Sequence, residues 1–232
     1  MLKLLRRIFV ITFVLIFSVF SCEIYTGYEM YENAIANLSV EDMANDVKEK
    51  ENYTSLEEMP EIYKEAVIAV EDHRFYSHKG IDIFAITRAL ITDFKAKSFI
   101  QGGSTITQQL AKNTYFTQEK KIERKIAELF MAFKLESELS KDEILELYLN
   151  TSYFGEGCYT VSEAADVYFD KNPEEMDEYE STLLAGIPNA PSVYAPTRNP
   201  DLAKQRQRQV LDKMVEHGKI STENANEILK KD

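Results

Sequence analysis

The 232-residue chain is short of several things, and each shortage removes a class of explanation. It has two cysteines, Cys22 and Cys158, which supply neither a disulfide framework nor the paired spacing of a zinc site. Cys22 ends an apolar N-terminal run, so a bridge between the two is not expected. Cys158, inside Phe154-Gly155-Glu156-Gly157-Cys158-Tyr159, reads as a small packed residue rather than a nucleophile. Strand-like alternation is scarce and no internal repeat stands out, which sets aside sheet-based folds and repeat arrays. Positive charge is in deficit, 27 Lys and Arg against 39 Asp and Glu for a net charge of -12, so nucleic acid is not an expected partner.

What is present is helical periodicity and, at 44% hydrophobic residues, enough apolar material for one domain with a real core. The chain begins with Lys3, Arg6 and Arg7, followed by an uncharged apolar run over residues 8–22 that Glu23 ends. That run is short of the roughly 20 residues a spanning helix wants. Leu4, Leu5 and residues beyond Glu23 can lengthen it. A cleaved signal peptide is the alternative, and Val19-Phe20-Ser21 before Cys22 admits a lipid-modified cysteine. The expectation is a single-pass anchor over residues 1–24, its basic tip in the cytoplasm and the rest of the chain outside. Residues 25–54, acidic and polar with Tyr25, Tyr28 and Tyr31 nearby, read as a juxtamembrane linker. A domain over 55–225 and a tail over 226–232 complete the division.

The acidic balance reverses in one place. Lys95, Lys97, Lys112, Lys120, Lys121, Arg124 and Lys125 face only Glu119 and Glu123, a basic island that suits an anionic ligand. Inside it, residues 101–109 hold one large apolar residue, Ile106, so the run is not expected to bury itself as a strand or amphipathic helix. Its Gly102-Gly103 pair allows close backbone approach to a ligand at a helix start. Ile122, Ile126, Leu129 and Phe133 recur at helical spacing and predict the apolar face of a helix, with Lys121, Arg124, Lys125 and Glu128 on another side. Upstream, Pro60 starts a helix whose stripe is Ile62, Ala66, Val67 and Val70. Glu71 and Asp72 end it, where the helix dipole disfavours anions, and a carboxylate kept there beside apolar residues suits a general base. Ile81, Phe84, Ile91 and Phe94 predict another helix, and Ser140 with Glu143 a capping box. A helix over residues 201–217 stopping at Gly218, and another from Ser221, close the chain.

Four ordered motifs carry a resemblance. They are Glu71-Asp72-x-x-Phe75-x-x-His78-x-Gly80, Gly102-x-Ser104-Thr105-Ile106-Thr107-Gln108-Gln109, Arg124-Lys125-x-x-Glu128, and Lys141-x-x-Ile144-Leu145-Glu146-x-Tyr148-Leu149-Asn150. With them the chain resembles glycosyltransferase family 51, the peptidoglycan glycosyltransferase domain of class A penicillin-binding proteins and monofunctional transglycosylases. Glu180-Ser181-Thr182-Leu183-Leu184-Ala185 and the Pro-flanked loop around Asn189 look like a further family segment. Two departures stand out. Gln207 replaces the second arginine of a motif in which Arg206 and Val210-Leu211 match, with Arg208 available to reach in from beside it, and Thr160 stands where a glycine is usual. No Ser-x-x-Lys or Lys-Thr-Gly occurs in these residues, so the penicillin-binding transpeptidase machinery is not among them.

The resemblance implies a mainly α, lysozyme-like glycosyltransferase domain behind an N-terminal transmembrane helix. The implied activity is polymerisation of lipid II into glycan strands by inverting transfer to an acceptor 4-hydroxyl, releasing undecaprenyl pyrophosphate. It implies catalytic roles for Glu71, as base, and Glu128, beside the leaving pyrophosphate, with Glu128 also holding a divalent cation such as magnesium. Substrate contacts are implied for Asp72, Phe75, His78, Gly103, Ser104, Thr105, Gln108, Gln109, Lys112, Asn113, Arg124, Lys125, Asn189 and Arg206, and for Lys120 or Lys121. Implied partners are the growing strand, the membrane, and other wall-synthesis proteins including a separate transpeptidase. The rival readings are a lysozyme-like glycan hydrolase, which would have no pyrophosphate for a cationic cluster to hold, and an inactive wall-binding scaffold.

Overall fold

The computed structural model describes residues 2–96, 103–117, 119 and 121–231. Among them the architecture is mainly α, as expected, and the sole bridge is the Gly155–Cys158 contact. In chain order the helices are α1 (Leu2–Asn37), α2 (Val40–Lys48), α3 (Glu61–Glu71), α4 (Ile83–Ala96), α5 (Ile106–Tyr115) and α6 (Ile122–Glu138). They continue as α7 (Lys141–Leu149), α8 (Val161–Phe169), α9 (Glu178–Gly186), α10 (Pro191–Tyr194), α11 (Pro200–Glu216) and α12 (Thr222–Ile228).

Helix starts follow local chemistry. Ser39, Thr105, Ser140, Thr160, Asp177 and Ser221 each accept from a backbone N–H of the first turn, closing donors the helix cannot satisfy itself. Thr160 is one of these caps, paired with Glu163 in a capping box, so the departure from glycine serves the start of α8. Gly218, at φ +68°, ends the chain's run out of α11 in the left-handed region. Cys158 is buried, and both cysteines are free thiols.

The anchor segment is one helix. Residues 5–37 are long and apolar enough to cross a membrane, and the helix passes Glu23 without a break. Residues 25–54, read above as a linker, are helical over most of their length. Tyr28 and Tyr31 pack against Phe130 of α6, and α2 buries Val40, Met43, Ala44 and Val47 in the core. The linker reading weighed the acids and missed these apolar faces. Asn150 then pins the following segment, accepting from the Thr54 N–H and donating to its carbonyl.

α6 differs from the expectation in which face it buries. Its buried residues are Ala127, Glu128, Met131, Ala132 and Leu135, while Ile122 and Phe133 are exposed and Ile126 meets α1. The helix is apolar on more than one side because it has partners on more than one side, α1 and α5 among them. The core beneath the site is built from α3, α5, α7, α9 and α11, with Tyr63, Phe75, Leu110, Tyr148 and Leu184 buried. On α4, Phe84 is exposed under the Arg74 guanidinium; the side chains of Ile91 and Phe94 lie outside the described residues.

Candidate active site

Glu71 is the last residue of α3, and only 10% of its side chain is exposed. Its Oε2 accepts a hydrogen bond from Gln109 Nε2 of α5 at 2.7 Å. Its Oε1 is buried with no hydrogen-bond partner among the described residues, 4.0 Å from the Arg206 guanidinium of α11. Burial raises the carboxyl above the usual carboxylate range; Gln109, Arg206 and Lys112 pull it back in part, and neighbouring Asp72 adds to the rise. The result is a carboxylate held in place through one oxygen, with its other oxygen free to take a proton.

Arg206 reaches this position across Gly186. It donates to the Gly186 carbonyl, and a Cβ on Gly186 would stand 2.8 Å from Arg206 Cγ, so a side chain there would push the arginine aside. Gln207, the departure beside it, is fully buried and donates to the Tyr179 carbonyl and Thr182 Oγ1, binding α11 to α9. Arg208 is exposed, about 200° around the helix from Arg206, and does not take over a contact in the site.

Glu128 sits one helix away on α6, 1% exposed. Arg124 bonds to one of its oxygens and Lys125 Nζ to the other at 2.8 Å; Lys125 also donates to Ser104 Oγ at 2.7 Å. Lys112 on α5 lies within electrostatic reach of both centres. Burial lowers its proton affinity first, Arg124 lowers it further, and Glu71 raises it. Lys125 is lowered by burial, then by Arg124 and Lys112. Three cations crowded around one neutralised carboxylate leave a net positive charge for an anion to meet.

The resemblance implies a divalent cation at Glu128. Among the described residues no three His, Cys, Asp or Glu come together, and both oxygens of Glu128 are already taken by cations. These donors do not fit a resident metal ion.

Several expected contact residues have structural partners of their own. Both Asp72 oxygens lie 2.9–3.0 Å from His78 Nε2, and one also accepts from the Ile106 N–H at the start of α5. An acid there complements the helix dipole. Phe75 is fully buried beneath the Lys141 ammonium. From Thr105 onward the polar run is not a surface loop: Thr105, Ile106, Thr107 and Gln108 are all buried. Their hydrogen bonds are made within the protein. Thr105 donates to the Gly80 carbonyl and forms a capping box with Gln108, and Thr107 donates to Glu136. This corrects the expectation from composition, because burial asks of a polar group only that it be hydrogen-bonded. Ser104, Gln109, Lys112, Arg124, Lys125 and Arg206 are the expected residues that face the two carboxylates. Asn113 lines a separate groove of about 280 Å³ with Met43, Val47 and Tyr159. Gly103 packs beside Ala89, Asn189 is exposed in a turn, and Lys121 pairs with Glu119 in solvent. Lys120 and Gly102 lie outside the described residues.

Two residues were missed. Tyr148 lies buried with its hydroxyl 3.4 Å from Gln109 Oε1, behind the amide that holds Glu71. Its place in the Ile144–Asn150 motif was a signal. Gly186 gave none, since its role depends on an arginine 20 positions away.

A family model described as Transglycosylase matches residues 37–215. Penicillin-binding protein 1A of Neisseria flavescens is 43% identical over 80% of this chain and 23% of its own length. The protein of the same name from Aquifex aeolicus is 46% identical over 79% of this chain and 25% of its own. The chain thus spans about a quarter of the length of these curated relatives. A crystal structure of penicillin-binding protein 1A from Haemophilus influenzae aligns with 55% of this chain and 16% of that one, at 30% identity and a TM-score of 0.38.

Proposed function

The chain belongs to the transglycosylase family, and from that premise we propose that it polymerises lipid II into glycan strands at the outer face of a bacterial membrane. The observation that carries this reading is the pairing of a buried carboxylate of raised proton affinity, one oxygen unpartnered, with a second carboxylate wrapped in cations. In a transglycosylase, a proton acceptor beside an anion receiver suits transfer of a sugar from a pyrophosphate to a hydroxyl.

In this reading Glu71 Oε1 takes the proton of the acceptor 4-hydroxyl. The hydroxyl oxygen forms its bond to the anomeric carbon of the strand carried on lipid pyrophosphate, from the face opposite the leaving group, and the carbon–oxygen bond to pyrophosphate breaks. Gln109 keeps Glu71 aimed, and Tyr148 sits behind Gln109. Arg206, at 4.0 Å, keeps enough of the carboxyl ionised to act while burial keeps it basic. The departing pyrophosphate carries its new charge into the field of Lys112, Arg124 and Lys125. Glu128 holds the latter two in position without neutralising all three. The residues 5–37 helix anchors the domain, with the basic N-terminus in the cytoplasm and the site outside. The partners in this reading are the membrane, the growing strand, and wall-synthesis proteins that include a separate transpeptidase.

Incubation of the full chain with labelled lipid II in vesicles tests the proposal. Polymer supports it. Inertness points to a binding scaffold, and degradation of added polymer to a hydrolase; either result would overturn it.

A further inference from the structure

The apolar anchor and the cation-bearing helix are not joined by a tether. α1 lies along α6, and Gly27, which is buried, sits directly against Ile126 and the Glu123 carbonyl. A Cβ built on Gly27 would stand 2.7 Å from both Cβ and Cγ2 of Ile126 and 2.8 Å from the Glu123 carbonyl oxygen. Only glycine permits this approach, because part of what a side chain would strike is backbone that cannot rotate away. Next to it, Tyr28, and one turn on, Tyr31, close on Phe130 with ring centroids 5.2 and 5.9 Å apart. Ala34, Ile35 and Leu38 continue the seam into the core. Arg124, Lys125 and Glu128 are on the same two turns of α6 as Ile126.

We propose that α1 is a rigid bracket which, seated on α6 at Gly27, fixes the cation–carboxylate cluster at the height of the membrane surface. Gly27 is then a positioning residue. The argument rests on the reading that the chain is a membrane-anchored transferase. Glu23 ends the apolar run and Gly27 lies four residues on, about 6 Å along a helix. A pyrophosphate on a membrane lipid is confined to the surface layer, so a cluster held at one fixed height meets it without searching.

Inserting seven alanines between Tyr25 and Thr26 changes height alone. Seven residues lengthen a helix by about 10 Å, and they return its face to within about 20°, so Gly27 can still dock. Turnover of labelled lipid II embedded in vesicles should fall tenfold or more, while turnover of the same substrate dispersed in detergent stays within twofold. Parental turnover in vesicles would overturn the bracket. A readout independent of activity uses a fluorophore on Lys121→Cys in a Cys22→Ser background, with energy transfer to an acceptor at the vesicle surface. Transfer should drop after the insertion, and unchanged transfer again refutes the proposal. If the parent makes no polymer, the proposed function has failed and the transfer measurement alone decides the bracket.

The seat itself is tested by Gly27→Ala, which must move α1 off α6. Amides of residues 122–138 should exchange faster, and turnover should fall in both vesicles and detergent, by up to about a hundredfold for a misplacement near 1 Å. Ile126→Gly in the same chain should restore part of both, because it removes two of the three contacts. Parental exchange and turnover in Gly27→Ala would remove the residue from this role.

Discussion

Replacing Glu71 with glutamine keeps the side chain's shape and removes its ability to take a proton. The amide oxygen can still accept from Gln109 Nε2 as Oε2 does at 2.7 Å, and the new NH2 then occupies the place of the unpartnered Oε1. Substrate binding should therefore survive, and the loss should fall on turnover. General-base assistance is worth about 10²–10⁴-fold, which is about 2.7–5.5 kcal/mol of barrier. Stability should move the other way. Burial raises the pKa of Glu71 above its unfolded value, so the native state holds this proton more tightly than the unfolded chain does. The parent's stability then declines as pH climbs from the unfolded value, about 4.3, to the raised native value, and is level above it. Glutamine carries no such dependence, so the variant should gain on the parent as pH rises and keep that gain at pH 7. Two measurements check this: lipid II polymerisation across pH, and urea unfolding at pH 4 and pH 7. Polymerisation within threefold of the parent would remove Glu71 as the base, and an unchanged stability difference between the two pH values would refute its burial as an ionised group.

Gly186→Ala should displace Arg206 from Glu71, moving the acid limb of the pH–rate profile upward because a cation that lowers the carboxyl has withdrawn. Overpacking there should also cost about 1–3 kcal/mol in denaturant unfolding, and an unmoved acid limb would contradict the Arg206 assignment. Asp72→Asn should lose about 1.5–3 kcal/mol of stability, the worth of hydrogen bonds to a charged group, since its oxygens serve His78 and the Ile106 N–H. Turnover of the molecules that remain folded should stay within threefold; a selective loss of substrate binding would return Asp72 to the site. Glu128→Gln should lower turnover by unbalancing Arg124 and Lys125, with a magnesium response parallel to that of Glu71→Gln. Rescue by magnesium specific to Glu128→Gln would show a metal site that the donor set argues against.

The sequence determined what depends on near neighbours. Helix starts were legible from capping chemistry, as at Ser140 and Ser221, because the cap and the N–H it serves are three residues apart. The stripe of α3 was legible in Ala66 and Val67, and so was the placing of Glu71 at that helix's end. The cluster of Arg124, Lys125 and Glu128 was legible because four residues make one turn.

Tertiary structure alone decided which faces found partners. Periodicity names an apolar stripe without saying what covers it, so Ile122 and Phe133 are exposed, while Ile126 of the same stripe lies against α1. Composition made residues 101–109 look like surface. The Gly80 carbonyl, Asp72 and Glu136 take the donors of 105–107, and the capping box the N–H and Oε1 of Gln108, making burial affordable. The approach of Arg206 to Glu71 joins residues 135 positions apart through a glycine on a third helix, and Gly27 meets Ile126 across 99. Such contacts follow from how rigid helices stack, which no local window of sequence contains.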